Sequence, residues 1–305
     1  MSKGIVGLVD IETSHPGSWI PIIRELGYEV TVFDSGRRYS SAQIESFAQE
    51  HGVLKVYTNL EEMAAEVDLG IIATANWDLH LQQCRPFIAQ GRPVLIDKPL
   101  VGSYDHLEQL LKWHEEGAVI GGGSSLRYSS EISALKAELE EKEAEVLSVY
   151  AVCSGMGYYY AVHLVSMLQA LLGSGIARVR EMGTCPWRVE LFWNAGQSAV
   201  VEVVCPDKGY VPFEAAVVTN KGMHRVVIDD IPRLYRDFLS TVIPAILDEA
   251  LPVPLEELVE VERALLGVLL SHEEAGRWVK LKELTAASPV YDGTEFFENY
   301  LRSVR

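Results

Sequence analysis

Short apolar runs recur along the first third of the chain, each bounded by glycine, proline or charge. Residues 4–11, 28–33, 55–57, 69–74, 94–96 and 118–121 read as strands, and the longer ones are apolar on both faces, as strands buried in a parallel sheet are. Between them, apolar positions fall at helical spacing over residues 18–26, 41–51, 60–66, 77–90 and 104–116. Regular strand–helix alternation predicts a doubly wound parallel sheet with helices on both faces, a Rossmann-type α/β domain over residues 1–122.

After Gly121-Gly122-Gly123 the pattern changes. Strand-like runs dominate at 146–153, 179–182, 188–193, 199–205, 213–219 and 222–228. Several alternate, as in Arg188-Val-Glu-Leu-Phe-Trp193, which suits an antiparallel sheet with one face covered. Helical spacing returns over 232–249 and 255–275. Residues 123–305 are therefore expected to form an α+β domain with a largely antiparallel open sheet. Phe192, Trp193 and Val200 sit on runs with few charges, so this sheet is expected to bury an apolar face against another copy.

Composition narrows the class of protein. With 305 residues, 48% of them hydrophobic, the chain can bury two cores. It has no apolar run of about 18 residues and no signal-peptide pattern, so no membrane span is expected. Cys84, Cys153, Cys185 and Cys205 make no CxxC pair, which reads as reduced thiols in a cytoplasm. A net charge of −17 disfavours nucleic acid and anionic membrane as partners and leaves a small molecule as the expected ligand. The acidic stretch 138–145 reads as a solvated helix end.

Chemistry concentrates at Val94-Leu-Ile-Asp-Lys-Pro-Leu100. Pro99 biases Lys98 towards extended backbone, at the carboxyl end of a buried strand where open α/β sheets bind ligands. A lysine held there can donate to a substrate hydroxyl and stabilise charge as the proton leaves. Asp-Lys-Pro also suits an ordinary surface turn, and local sequence does not separate the two.

Four segments together resemble the Gfo/Idh/MocA family of NAD(P)-dependent oxidoreductases. Ile72-Ala-Thr-Ala-Asn-Trp-Asp-Leu-His80 is similar to A-T-P-N-x-x-H, with Ala75 for proline and the histidine one residue late. Gly91-Arg-Pro-Val-Leu-Ile-Asp-Lys-Pro-Leu100 is similar to G-K-H-V-x-x-E-K-P-L, with Asp97 for glutamate. Gly122-Gly-Ser-Ser-Leu-Arg-Tyr-Ser129 is similar to the crossover into the second domain, and Gly276-Arg-Trp-Val-Lys-Leu281 to a late G-x-x-V-x-L. The resemblance implies that Lys98 contacts the reacting oxygen. It also implies a helix opening near Gly157, where His163 matches a general base although Tyr159 replaces the family's aspartate and Ala161 its glycine. Tyr159 lies one turn before His163 and is expected to share its face, donating to the same oxygen or packing. Arg127 and Tyr128 at the crossover are expected substrate contacts.

The first loop departs most from the family. Gly7-Leu-Val-Asp-Ile-Glu-Thr-Ser-His-Pro-Gly17 keeps Gly7 of G-x-G-x-x-G, while Asp10 and Glu12 add negative charge where a pyrophosphate is expected. Thr13 or Ser14 can cap the following helix, and His15 is placed to meet a phosphate. Asp34, ending the second strand, suits a ribose 2′-hydroxyl and hence NAD, whereas Arg37 and Arg38 suit the 2′-phosphate of NADP. Thr74, Asn76, His80 and Asp97 complete the expected cofactor set; no residue is assigned to a metal. The expected protein is a cytoplasmic homodimer or homotetramer that oxidises a secondary alcohol of a sugar, polyol or related molecule. The alternative is a degenerate relative that binds a small ligand without redox turnover.

Overall fold

A computed structural model describes residues 2–184 and 186–303; Cys185, one of the expected reduced thiols, lies outside the described residues. The first sheet is assembled by alternation: β1 (Ile5–Val9), α1 (Ser14–Glu25), β2 (Glu29–Phe33), α2 (Ser41–His51), β3 (Val56–Tyr57), α3 (Leu60–Glu66), β4 (Leu69–Ile72), α4 (His80–Ala89), β5 (Val94–Asp97), α5 (Tyr104–Glu115) and β6 (Ile120–Gly123). Thr13, Asn59 and Ser103 cap α1, α3 and α5 by accepting a backbone N–H of the first turn. The six strands are parallel in the order β3-β2-β1-β4-β5-β6. Strand order reverses between β1 and β4, and the carboxyl ends of those strands open the crevice in which this fold class binds ligands.

A single 3₁₀ turn, Ser125–Tyr128, leads into α6 (Ser130–Glu141), β7 (Val146–Ser154) and α7 (Gly157–Leu172). Then follow β8 (Ile176–Thr184), β9 (Trp187–Trp193), β10 (Ser198–Val204), β11 (Phe213–Thr219), β12 (Gly222–Ile228), α8 (Ile231–Leu247), α9 (Leu255–Glu273), β13 (Val279–Lys280) and α10 (Gly293–Ser303). The second sheet runs β12-β11-β7-β10-β9-β8-β13. Its pairs are antiparallel except β7 with β10, which lie parallel because α7, β8 and β9 intervene between them. Helix α7 packs on the inner face, closing a core with Val149, Ala151, Leu191, Trp193 and Val201.

Three expectations change. Helices α6, α7 and α10 did not emerge from hydrophobic periodicity; α7 is apolar nearly all round, since eleven of its residues are buried, so it carries no amphipathic stripe. The chain does not stay in its second domain after residue 123. Phe238, Val242 and Ile246 of α8, and Leu255, Val259 and Leu266 of α9, join the cores under the first sheet. Finally, the outer face of the second sheet is mixed rather than wholly apolar, with Tyr150 and Val218 exposed on it among charges. Trp193 is buried in the inner core, while outward positions carry an ionic ladder: Arg180–Glu190 at 2.6 Å, Arg188–Glu202 at 2.7 Å and Arg225–Glu214 at 2.5 Å. Alternation puts Phe192 and Val200, half-buried, on that charged side.

Candidate active site

Asp97 and Lys98 leave the carboxyl end of β5 fully inside the protein. Asp97 accepts from its neighbour's amide, Lys98 N, at 2.7 Å and from His15 Nδ1 at 2.6 Å. His15 reaches it from the first turn of α1, stacked on Trp19 with ring centres 4.7 Å apart. Burial alone would raise the Asp97 carboxyl; the facing His15 and Lys98 outweigh it and hold the acid below its ordinary value. Lys98 is 5% exposed and, among the described residues, its ammonium donates to no acceptor. It lies 3.3 Å from the centre of the Tyr159 ring, and burial pulls its pKa down to about 8 against the opposing pull of Asp97 and Glu262. Glu262 of α9 accepts from Leu100 N at 2.8 Å, fixing the Lys98–Leu100 turn from behind.

Helix α7 brings His163 to the same place. Its Nδ1 is 2.7 Å from Ser124 Oγ, which also accepts from Leu126 N. When Nδ1–H donates to Ser124, Nε2 is the ring's acceptor. Burial, followed by the nearby Lys98 and His15, pushes His163 well below the usual imidazole range. The imidazole is therefore neutral at pH 7, but it does not titrate near neutrality as a base of ordinary strength would. Lys98, His163, Tyr159, Ser14 and His15 line one cavity of about 340 Å³. Much of its remaining wall is aromatic, with Tyr160, Tyr210, Phe213, Tyr235 and Tyr300, beside aliphatic Ile231 and Leu234, and Thr13 and Ser125 add hydroxyls. A mixed polar and aromatic cavity of this size matches a small polar molecule. None of these five aromatics is legible as a ligand contact in sequence, because they arrive from α7, α8, α10, β11 and the loop before β11.

The expected cofactor residues divide. Strand β1 runs through Gly7, whose missing Cβ makes room for Met63 of α3 and for Val67 just after it; it is a packing glycine, three residues before the turn. The tight turn itself starts at Asp10, in left-handed backbone with φ 62°, where the dinucleotide fingerprint has its first glycine. By the same register Glu12 and His15 hold the second and third glycine positions. Asp10 accepts from Ser35 N and Oγ, Thr74 Oγ1 and Gln83 Nε2, all within 2.7 Å, and Glu12 accepts from Ala75 N at 3.0 Å. Arg37 lies 3.3 Å from Asp10 and 3.2 Å from Glu12. Asp34 spends its carboxylate on Ile11 N and Gly36 N, and Asn76 donates to Thr294 of α10.

The fold and the family resemblance imply NAD as cofactor, and in this arrangement the chain's own side chains stand at the phosphate turn. An open cleft of about 460 Å³ beside Ser35, Asn59 and Gln83 can take an adenosine. Beside that cleft the Asp10, Glu12 and Arg37 side chains engage one another and the β4 loop, and Phe297 of α10 lies 5.1 Å from the Arg37 guanidinium.

Three further residues have other tasks. His80 has both ring nitrogens against backbone oxygens, Leu100 O and Thr74 O at 2.9 Å each, and ties the β4 loop to the Lys98 turn rather than facing a ligand. Arg127 donates to Gln169 and faces Glu257 at 3.9 Å, inside the protein and away from the cavity wall. Tyr128 packs on Phe238 with ring centres 5.3 Å apart, and burial pushes its hydroxyl up to about 12. Neither Arg127 nor Tyr128 lines the cavity; the crossover joins the two domains.

Comparison with known proteins agrees with the topology. Residues 3–123 match the model of the Gfo/Idh/MocA oxidoreductase family, NAD-binding Rossmann fold. A 1,5-anhydro-D-fructose reductase from Ensifer adhaerens is 30% identical over 138 residues, 44% of this chain and 40% of the reductase, so the chain spans well under two thirds of that relative. A probable dehydrogenase from Thermotoga maritima superposes with a TM-score of 0.80 at 15% identity over 92% of this chain and all of that one. A myo-inositol dehydrogenase from Lactobacillus casei, in complex with NAD(H) and myo-inositol, gives 0.78 at 15% identity over 95% and 99%. At such identities the solved structures share the fold.

Proposed function

We propose, from the premise that this chain belongs through its N-terminal domain to the Gfo/Idh/MocA family of NAD-binding Rossmann oxidoreductases, that it oxidises a secondary alcohol of a small sugar or polyol. The observation that carries the reading is Lys98: a buried ammonium without an acceptor among the described residues, lining a polar cavity beside a neutral histidine. Burying such a charge unpaired is costly, so it is retained for a ligand that supplies the missing oxygen. In this reading Lys98 donates to the substrate hydroxyl and favours its alkoxide, and His163 accepts the proton at Nε2 while Ser124 holds the ring. Tyr159 keeps the ammonium in place and excludes water from it. His15, held from behind by Asp97, forms another part of the wall. The family's nicotinamide supplies the hydride acceptor when bound. We further assign the protein to the cytoplasm, where Cys84, Cys153 and Cys205 stay reduced, and to a homo-oligomer.

Incubation of the protein with NAD⁺ and a panel of inositols and sugar polyols, followed at the NADH absorbance, tests it. Substrate-dependent NADH that disappears in Lys98→Met is the expected result. The filled pyrophosphate turn favours a second reading, a ligand-binding relative without redox turnover. Polyol binding by calorimetry with no NADH formed from any member of the panel would establish that reading instead.

A further inference from the structure

The groove over the carboxyl ends of β2, β1 and β4 holds groups of the chain itself. Glu12 puts a carboxylate across the gap between the β1 turn and the β4 loop, taking the Ala75 N–H at 3.0 Å and facing Arg37. Carboxylate and phosphate recruit the same donors, so this is the partner set a pyrophosphate would seek. Helix α10 lies over it from end to end. At the β4 loop, Thr294 Oγ1 accepts from Asn76 Nδ2 at 3.0 Å and Thr294 N donates to Asp78 at 2.9 Å. Two residues on, Phe296 stacks on Tyr159 and meets Trp77 at a tilt, with ring centres 4.4 and 4.8 Å away. Phe297 lies 5.1 Å from the Arg37 guanidinium, and the Tyr300 hydroxyl is 3.1 Å from Arg38 and 3.4 Å from Glu12 O.

We propose that α10, together with the Glu12–Arg37 pair, is an intramolecular occupant of the dinucleotide groove, so that NAD(H) and docked α10 exclude one another. The inference rests on the function proposed above and adds its control. Helix α10 is suited to leaving. It spans only Gly293–Ser303, at the end of the described chain, and an isolated helix of that length is marginal in water. Phe297 is its one large side chain buried in the groove, while Glu295, Glu298 and Asn299 face solvent. Segments with so little buried area open at low free-energy cost. A docked helix reduces apparent cofactor affinity by the fraction of molecules in which the groove is open.

Two measurements on the full chain test this. In calorimetric titration with NADH, the double variant Thr294→Val with Phe297→Ala should bind about tenfold tighter than wild type or better, as a shift in that open fraction requires. In wild type, saturating NADH should speed amide hydrogen exchange across 293–303 while the strands of both sheets stay protected. NADH binding that leaves exchange in 293–303 unchanged or slower would overturn the exclusion and leave the redox reading intact. Equal affinities of the two proteins, with the variant's melting curve still cooperative, would do the same. Absence of binding in both proteins at millimolar NADH would overturn the exclusion and the redox reading together.

Discussion

The ammonium of Lys98 sits 3.3 Å from the centre of the Tyr159 ring, one charge from the end of β5 and one π face from the second domain. A cation on an aromatic face gains on the order of 1–2 kcal/mol when desolvated, less than full burial of an ammonium costs. The remainder appears as the depressed pKa of about 8. Below that pH the folded protein carries a charge that the unfolded chain holds more comfortably.

Lys98→Met should therefore separate function from stability. Turnover should fall by about two to three orders of magnitude, the effect of losing one preorganised charge at a reacting oxygen. Melting temperature at pH 7 should rise by a few degrees, because the penalty of a lysine depressed from 10.5 to about 8 is present at every pH below 8 and fades as pH rises through it. Thermal melts at pH 7 and pH 10 check the sign: a variant less stable than wild type at pH 7 would mean the ammonium is better solvated than its surroundings indicate.

The pH profile of turnover should fall on its alkaline side as Lys98 loses its proton near pH 8, and Lys98→Met should abolish that limb. The acid limb belongs to His163 and should lie well below the ordinary imidazole value, because burial and Lys98 oppose its protonation. A base titrating around neutrality, which the sequence invited, is not expected. His163→Asn should lower kcat by about 10²–10⁴ and remove the acid limb. An unchanged profile in that variant would move the base to another group on the cavity wall.

Glu12 should make cofactor binding pH-dependent. Burial first, and then Asp10, raise its carboxyl to about 7, against the pull of Arg37 and the Ala75 N–H; Asp34 adds to the rise, and Arg38 and Tyr300 face only its carbonyl. NADH affinity should improve as pH falls through about 7, when the carboxylate facing a pyrophosphate is neutralised. Glu12→Gln should remove that dependence. Since the folded value exceeds the ordinary 4.5, the fold pays nothing below pH 4.5, progressively more up to about 7, and the full penalty above it, on the order of 3 kcal/mol. Glu12→Gln should thus stabilise the protein at pH 8 and not at pH 4, as denaturant titrations at the two pH values would reveal.

Self-association, if it uses the outer face of the second sheet, should be ionic in character. The ladder of Arg180, Glu190, Arg188 and Glu202 meets solvent, where salt screens it. Sedimentation should give a mass above the monomer at low ionic strength that declines in molar salt. A monomer mass at every salt concentration would exclude the oligomer.

The sequence by itself determined the order of the first six strands and their helices, since buried parallel strands and capped helices write period and punctuation locally. It also singled out Lys98 and Asp97 by their place at the end of a buried strand, and His163 through the family resemblance. What only the tertiary structure decided were relations between distant segments. Nothing local distinguishes Arg127 on Gln169 from an arginine facing a ligand, or Gly7 packed on Met63 from a glycine under a phosphate. Trp193 turned inward and Arg188 outward because the pairing of β9 with β10 set their faces. Helix α10 did not emerge from the sequence pattern, yet it lies across Asn76, Arg38 and Glu12, more than 200 residues earlier in the chain. Side-chain period encodes which residues are buried, but not against which partner, and the dinucleotide groove is a matter of partners.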